Sequence, residues 1–194
     1  VNAFVSLLKR ADMTRYELFL RETRTYEIIE DVKNFRSEIG VLFLNGYNRD
    51  VLTKMFDDNR LTYTSLFKAR PHIFVSKSNP LAKHKVVSLE DLEDFPYLSY
   101  DQGIHNSFYY SEEILSQIPH KKSIVVSDRA TLFNLLIGLD GYTIATGILN
   151  SNLNGDNIVS IPLDVDDEID IVYLKHQKAT LSKMGEKFLD NLVK

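Results

Sequence analysis

The sequence contains no cysteine among its 194 residues. A chain without thiols has no disulfide framework, no iron–sulfur cluster, no cysteine nucleophile and no cysteine-rich zinc site. Its longest apolar run lies within residues 39–44, far below the roughly 18 residues that indicate a membrane span. These absences exclude sulfur chemistry, and we expect no contact with a membrane.

The sequence also has little excess charge of either sign. The sequence has 23 Lys and Arg against 27 Asp and Glu, a net charge of −4, and no block of five or six like charges. Because phosphate contacts come mainly from clustered Lys and Arg, this balance argues against a nucleic-acid surface. The sequence begins at Val1 without a basic-then-apolar leader, so we interpret it as a fragment or a processed product.

Patterns for catalysis and metal binding are lacking as well. No two of the five histidines lie three to five residues apart, and no H-E-x-x-H pattern occurs. The sequence has no G-x-S-x-G elbow, no Walker loop and no dinucleotide fingerprint. Acidic pairs such as Glu112 and Glu113 are interpreted as solvated. We therefore expect no enzyme activity, no metal site and no cofactor.

Helical and extended patterns alternate along nearly the whole chain. The stripe of Phe4, Leu7, Leu8 and Ala11 predicts an amphipathic helix. Further helices are predicted over residues 26–34, 51–56, 88–92, 107–116, 129–139 and 181–193. Strands are predicted over residues 39–44, 63–67, 72–75, 96–100, 123–126, 142–145, 158–161 and 169–174, and residues 16–21 alternate as a strand does.

This alternation predicts an α/β fold, because a right-handed crossover through a helix is the usual connection between parallel strands. The elements form two series, which predicts two lobes with mainly parallel sheets flanked by helices. We place the crossings between the lobes at residues 68–72 and at the acidic stretch 164–168. The first lobe then comprises residues 1–69 with 165–194, and the second residues 70–164.

In open parallel sheets, ligands bind beyond the carboxyl ends of the strands, where loops lead to helix N-termini. The loops at these places are rich in hydroxyl groups, amides and glycine, which suit a small polar ligand. They are residues 22–25, 45–47, 100–103, 106–107, 127–128 and 146–147. Taken singly, each residue fits a helix cap or a turn better, and Asp128 is the predicted N-cap of the following helix. Phe108, Tyr109 and Tyr110 form an aromatic wall or, as we favour, pack into the core.

Three segments in the middle of the sequence follow one another closely: residues 73–82 (IFVSKSNPLA), 87–92 (VSLEDL) and 96–98 (PYL). They resemble the strand, "hPLA" turn and "vsl-dL" helix in the regulatory domain of LysR-type transcriptional regulators. Residues 137–145 (IGLDGYTIA) resemble its "v-aG-Gia-lP" stretch, and residues 38–41 (EIGV) its "lDlai" strand. The order and spacing of these segments cover nearly the whole chain.

The resemblance implies a two-lobed, periplasmic-binding-protein-like fold with two interlobe crossings and an inducer bound between the lobes. It implies a cytoplasmic regulator that forms a homodimer, or a tetramer at full length, with the helices at 4–11 and 51–56 as candidate dimer surfaces. DNA would be bound only by an N-terminal helix-turn-helix domain that this sequence lacks. The family's first strand of lobe one is missing too, so part of the site is expected to lie outside these residues.

By matching positions, the resemblance implies an effector site for a small polar or anionic metabolite. Its residues are Thr23, Phe43, Tyr100, Asp101, Gln102, Ser127, Asp128, Thr146 and Gly147. Phe43 would form an apolar wall where some relatives have a polar or basic contact, and Gly147 stands where the family commonly has proline. Two alternatives stay open: an extracytoplasmic solute-binding protein of a transporter, and an enzyme on a two-lobed scaffold.

Overall fold

The fold is that of a computed structural model, which describes residues 1–10, 14–149 and 155–193. The chain divides into two compact units. Unit 1 comprises Val1–Leu44, Arg49–Lys68 and Asp170–Lys194, and unit 2 comprises Asn45–Asn48 and Ala69–Ile169. Apart from the loop Asn45–Asn48, the chain therefore passes from unit 1 to unit 2 after Lys68 and returns after Ile169.

Unit 1 is built on a sheet with the strand order β1-β8-β2. Its elements are α1 (Asn2–Arg10), α2 (Thr25–Lys33), β1 (Gly40–Leu44), α3 (Arg49–Asp58), β2 (Leu61–Ala69), β8 (Ile169–His176) and α5 (Lys183–Leu192). Helix α2 packs so closely on β1 that a Cβ atom at Gly40 would lie 2.7 Å from Ile28 Cγ2. The helix predicted over residues 26–34 is confirmed as α2, and its Ile29 and Val32 are both at most 1% exposed.

The predicted N-terminal helix is confirmed as α1, which packs on α5. The ring of Phe4 meets that of Phe188 edge to face, 6.3 Å between centroids. Arg10 Nη1 also donates a hydrogen bond to Asn191 Oδ1 at 3.3 Å. Ala11, the last residue of the predicted stripe, lies outside the described residues. Helix α5 thus covers part of the apolar face of α1.

The alternating segment 16–21 belongs to no helix or strand, so the strand that its pattern suggested is wrong. Its apolar side chains are exposed, with Phe19 at 77%. A period of two predicts which side chains share a face, but a strand also needs a neighbouring backbone for its hydrogen bonds. The sequence pattern carries no information about that neighbour.

Unit 2 is built on a sheet with the strand order β5-β4-β6-β3-β7. Its strands and helix are β3 (His72–Ser76), β4 (Tyr97–Tyr100), β5 (Ser123–Val126), α4 (Arg129–Gly138), β6 (Tyr142–Ala145) and β7 (Ile158–Pro162). Short 3-10 helices lie at Pro80–Lys83, Glu90–Leu92 and Phe108–Tyr110. The core joins α4 to the sheet through Phe74, Leu98, Val126, Leu132, Leu136 and Ile158.

Pairing directions differ between parts of the sheets. Strand β4 runs parallel to β5 and β6, as expected, whereas β3 runs antiparallel to β6 and β7, and β1 antiparallel to β8. The α/β fold class is confirmed, with parallel pairing of β4 to both of its neighbours and antiparallel pairing at β3 and between β1 and β8. The crossover rule constrains strands joined through a helix, and β1 pairs with a strand far away in sequence.

The predicted helix over residues 107–116 is wrong. Only Phe108–Tyr110 forms a 3-10 turn, and Leu115 adopts a positive φ of 61°, which an α-helix does not accommodate. Phe108 is 58% exposed, so the core packing that we favoured for it is also wrong. Among the described residues, no helix is long and apolar enough to span a membrane.

Candidate functional site

Three parallel strands of unit 2 end at the same edge of its sheet. Tyr100 lies opposite Val126 at the ends of β4 and β5, and Tyr97 lies opposite Tyr142 in the pairing of β4 with β6. The carboxyl ends of neighbouring parallel strands share an edge, so the residues that follow them are brought together. These are the predicted residues Tyr100, Asp101, Gln102, Ser127, Asp128, Thr146 and Gly147, a set that we call the strand-end group.

Asp128 caps helix α4, as its position predicted. Its carboxylate accepts hydrogen bonds from the backbone N–H of Thr131 at 2.9 Å and from the Thr131 hydroxyl at 2.7 Å. These bonds hold the pKa of Asp128 below its ordinary value. The capping role therefore occupies the carboxylate, while the neighbouring Ser127 is exposed.

A buried acid that the sequence interpretation missed lies behind the end of β4. Glu113 is 4% exposed, and its Oε1 accepts the backbone N–H of Tyr100 at 2.7 Å. Burial, aided by the charge of Glu112, raises the pKa of Glu113 to about 8. In the described part of the chain, no cation lies within ion-pair distance of it. The interpretation of Glu113 as a solvated acid is wrong.

The neighbouring acid, Glu112, holds the side chain of Gln102. Gln102 is 6% exposed, and its Nε2 donates a hydrogen bond to Glu112 Oε1 at 3.2 Å. An ionised carboxylate only accepts hydrogen bonds, so the amide nitrogen must face it. The amide Oε1 of Gln102 is then buried, with no hydrogen-bond partner among the described residues. Two successive glutamates thus contact the loop of Tyr100, Asp101 and Gln102.

Gly147 follows β6 and packs against His72, a histidine that the sequence interpretation did not place at the site. A Cβ atom at Gly147 would lie 2.6 Å from the His72 ring, and the residue adopts a φ of +78°. Proline cannot adopt a positive φ. Glycine at this position, in place of the proline common in the family, is therefore required by the backbone conformation and by the His72 ring.

The loop Asn45–Asn48 follows β1 but clusters with unit 2. Its Tyr47 stacks on Tyr109 with 4.8 Å between ring centroids and 14° between planes. The same loop is held by Asn45 Nδ2, which donates to Asp167 Oδ2 at 3.1 Å. The sequence marked residues 45–47 as a candidate ligand loop but contained no signal for the aromatic stack.

Unit 1 contains the other two predicted residues. Thr23 lies just before α2, and its hydroxyl donates to Oε2 of Glu27 in the first turn of that helix. This bond lowers the pKa of Glu27. Phe43 is half-buried near the end of β1, opposite Ile171. Thr23 and Phe43 belong to a different unit from the strand-end group.

A cation lies at the carboxyl end of β1 in unit 1. Leu44 lies opposite Asp170, whose Oδ2 is 3.2 Å from Arg49 Nη2. Ser65 donates a hydrogen bond to the other carboxylate oxygen of Asp170. The Arg49 side chain is 40% exposed, so its guanidinium can still reach a ligand. The sequence interpretation did not include this cation, which is six residues after Phe43.

The amino ends of β4 and β6 carry a second polar group, away from the strand-end group. His120 stacks on Tyr97 at 3.7 Å, and its Nδ1 lies 2.9 Å from the hydroxyl of Tyr142. Burial lowers the pKa of His120 and raises that of Tyr142 to about 12. A cavity of about 140 Å³ lies here, lined by Leu89, Leu92, Glu93, Phe95, Ile118, Pro119, His120, Lys121 and Tyr142.

Metal-binding side chains do not gather in either unit. Over residues 1–10, 14–149 and 155–193, no three His, Cys, Asp or Glu side chains are placed to hold a metal ion together. The groups assembled at the strand ends are hydroxyls, amides, carboxylates and aromatic rings. Such groups form hydrogen bonds and ring contacts with a small organic molecule.

A family model describing the LysR substrate binding domain matches residues 10–194. The chain belongs to this family. The predicted family and the two-lobed α/β class are thereby confirmed. None of the curated proteins compared with the chain matches it.

Solved structures of the same fold include regulators of the LysR family. The effector binding domain of QuiR in complex with shikimate is 16% identical, with 99% of this chain and 87% of that chain covered and a TM-score of 0.62. The BenM effector binding domain with its effector benzoate is 19% identical, with 98% and 82% covered and a TM-score of 0.62. HinK, a LysR family transcriptional regulator from Pseudomonas aeruginosa, is 16% identical, with 90% and 58% covered and a TM-score of 0.60. At these identities the likeness establishes the shared fold.

Proposed function

We propose that the chain is the inducer-binding regulatory domain of a bacterial LysR-type transcriptional regulator. One small polar or anionic metabolite binds in the cleft between two lobes, formed by residues 1–69 with 165–194 and by residues 70–164. The domain performs no reaction and works in the cytoplasm. DNA is contacted by a separate helix-turn-helix domain of the full-length protein.

The observation that carries this proposal is the meeting of three parallel strand ends in unit 2. Their loops supply hydroxyl, amide and backbone groups at the edge of an open sheet, the usual position of a ligand in such folds. Seven of the nine predicted effector residues lie there, and Thr23 and Phe43 supply the contacts from lobe one. Arg49, at the carboxyl end of β1, extends the set with a cation for an anionic group of the metabolite.

The effector acts by binding one arrangement of the regulator more tightly than another. A ligand shifts an equilibrium only by its differential affinity for the two states, so the contacts at the strand ends must differ between them. The dimer then transmits the shift to the DNA-binding domains. Helices α1 and α3 remain the candidate dimer surfaces, and light scattering that finds only monomer at high concentration contradicts this pairing for the isolated domain.

The test is a thermal-shift screen with a panel of metabolites that includes shikimate and benzoate. A compound at about 100 times its Kd stabilises the native state by about 2.7 kcal/mol. For a chain of this size, that raises Tm by roughly 5–10 °C. We expect at least one stabilising compound, and we expect Thr23→Ala and Ser127→Ala to reduce its shift.

Two control substitutions of exposed residues away from the site test whether the loss of the thermal shift is specific to the predicted effector residues. Ser123→Ala changes an exposed serine at the opposite end of the strand that precedes Ser127, and Thr64→Ala changes an exposed threonine on β2. Both controls should keep the full shift. A shift that is unchanged in Thr23→Ala and in Ser127→Ala contradicts the placement of the site, and turnover of a compound abolished by Asp101→Asn contradicts the binding-only function.

A further inference from the structure

We propose that Glu113 is a positioning residue for the effector loop of unit 2, residues 100–102, and makes effector affinity depend on pH. The proposal rests on the proposed function, because it assigns Glu113 to the loop that contains three of the effector residues. Glu113 itself belongs to none of the segments that the sequence marked for ligand binding. Its role follows from its place behind the end of β4.

The first step is the hydrogen-bonding requirement of the loop. Asp101 N–H continues the pairing with β5 by donating to Val126 O at 2.8 Å. On the other edge of β4, the registered pairing with β6 is Tyr97 with Tyr142, so the N–H of Tyr100 lies beyond that pair. The residue is half-buried, and Glu113 Oε1 accepts its N–H at 2.7 Å.

The second step is that this acceptor is built into the core of the unit. Glu113 is 4% exposed, and the residue after it, Ile114, is 1% exposed. Glu112 anchors the next part of the loop through Gln102 Nε2 at 3.2 Å. One short segment therefore fixes both the backbone at Tyr100 and the side chain at Gln102.

The third step is the charge of Glu113. Burial raises its pKa to about 8, so the carboxyl is neutral in a neutral solution and ionises above that pH. The titratable groups acting on it are Glu112, on its own segment, and Tyr97, on β4. Burial and the charge of Glu113 raise the pKa of Tyr97, so the phenol stays neutral throughout this range. The bond from the Tyr100 N–H opposes this rise in pKa, so it favours the ionised form and persists when Glu113 ionises. The negative charge that then lies behind the loop opposes an anionic effector.

The decisive experiment needs no effector. Amide hydrogen exchange at Tyr100 is measured at pH 6.5 in the 194-residue chain and in Glu113→Ala and Glu113→Gln. We expect the alanine variant to exchange about tenfold faster or more, and the glutamine variant, which keeps an acceptor oxygen, to retain the protection. Glu93→Gln, an exposed acid elsewhere in unit 2, is the control and should leave the rate unchanged.

A pH titration of the Tyr100 amide resonance tests the coupling, and it stays informative if Glu113→Ala does not fold. We expect a midpoint near pH 8 in the unmodified chain and none in Glu113→Gln. Equal exchange in all variants, or the same titration in Glu113→Gln, overturns the proposal.

The binding arm uses shikimate, benzoate and the other panel compounds at pH 6.5 and 9. An anionic compound that binds should lose affinity at pH 9 in the unmodified chain, because the ionised Glu113 repels it, and keep its affinity in Glu113→Gln. Affinity with the same pH dependence in both proteins overturns the proposed coupling. A panel without any binder contradicts the proposed function instead, while the exchange rates still decide whether Glu113 holds the loop.

Discussion

The two units bury carboxylates in different surroundings. Asp31 and Asp170 of unit 1 are 6% and 8% exposed, and each lies beside an arginine. Arg36 Nε is 2.8 Å from Asp31 Oδ1, and Arg49 Nη2 is 3.2 Å from Asp170 Oδ2. Glu113 of unit 2 is buried to the same degree but has a neutral backbone N–H as its partner.

The difference predicts how each unit responds to a change of charge. An arginine beside a buried carboxylate stabilises the charged form, whereas burial without a cation favours the neutral form. Unit 1 should therefore be sensitive to removal of a cation. Unit 2 should be sensitive to a rise in pH.

At neutral pH, the largest effect is expected when Asp170 loses its arginine. Arg49→Met leaves the buried carboxylate without its cation, although the Ser65 hydroxyl still donates to it. Loss of one partner costs several kcal/mol for a fully buried ion pair. Because the Arg49 side chain is 40% exposed, we expect a smaller loss, about 2 kcal/mol, in the free energy of unfolding measured with urea. The double variant Arg49→Met with Asp170→Asn removes the charge as well and should recover part of the loss. No loss in the single variant would show that Asp170 does not depend on Arg49.

The effect of Glu113 depends on pH. Between its ordinary value of 4.5 and its folded value of about 8, the native state binds more protons than the unfolded state. The neutral carboxyl of Glu113 therefore contributes stability that is fully present below this window. The free energy of unfolding falls as pH rises through the window. Glu113→Gln has no carboxyl to ionise at this position. Its free energy of unfolding should match that of the unmodified chain at pH 4 and exceed it at pH 8.5 by roughly 1–3 kcal/mol. The same pH dependence of the free energy of unfolding in the two proteins would contradict a neutral, buried carboxyl at Glu113.

The smallest effect is expected at an exposed carboxylate with a local role. Asp128→Ala removes the cap of α4 and should lower Tm by a few degrees. Asp128→Asn keeps an oxygen acceptor for Thr131 and should leave Tm nearly unchanged. Thermal unfolding followed by circular dichroism measures both. An equal loss of Tm in the two variants would mean that the charge, and not the cap, matters here.

Sequence patterns predicted the features that depend on neighbours along the chain. The cap at Asp128 and the helix that it begins follow from residues within one helical turn. The strands β3, β4, β5 and β6 were predicted because apolar runs between turn signals are local as well. Since consecutive parallel strands share an edge, the gathering of the strand-end group in unit 2 also followed from the order of elements.

Contacts between distant segments were not predictable in the same way. Tyr100 and Glu113 are 13 residues apart. The segment between them contains one short 3-10 helix but no α-helix or strand, so no periodic pattern relates the two. Leu115 with its positive φ interrupts what would have been a helical spacing. The stack of Tyr47 on Tyr109 joins two loops, where side-chain direction does not follow from a period.

The sequence by itself determined the α/β class, the family and, in unit 2, the ends of β4, β5 and β6 and the start of α4. These properties depend on local spacing and on motifs that are read directly along the chain. Only the tertiary structure decided that Glu113 is buried, that Arg49 pairs with Asp170, and that Gly147 lies against His72. The reason is physical: a side chain's solvation and partners are set by segments brought together from distant parts of the sequence, and solvation determines its charge.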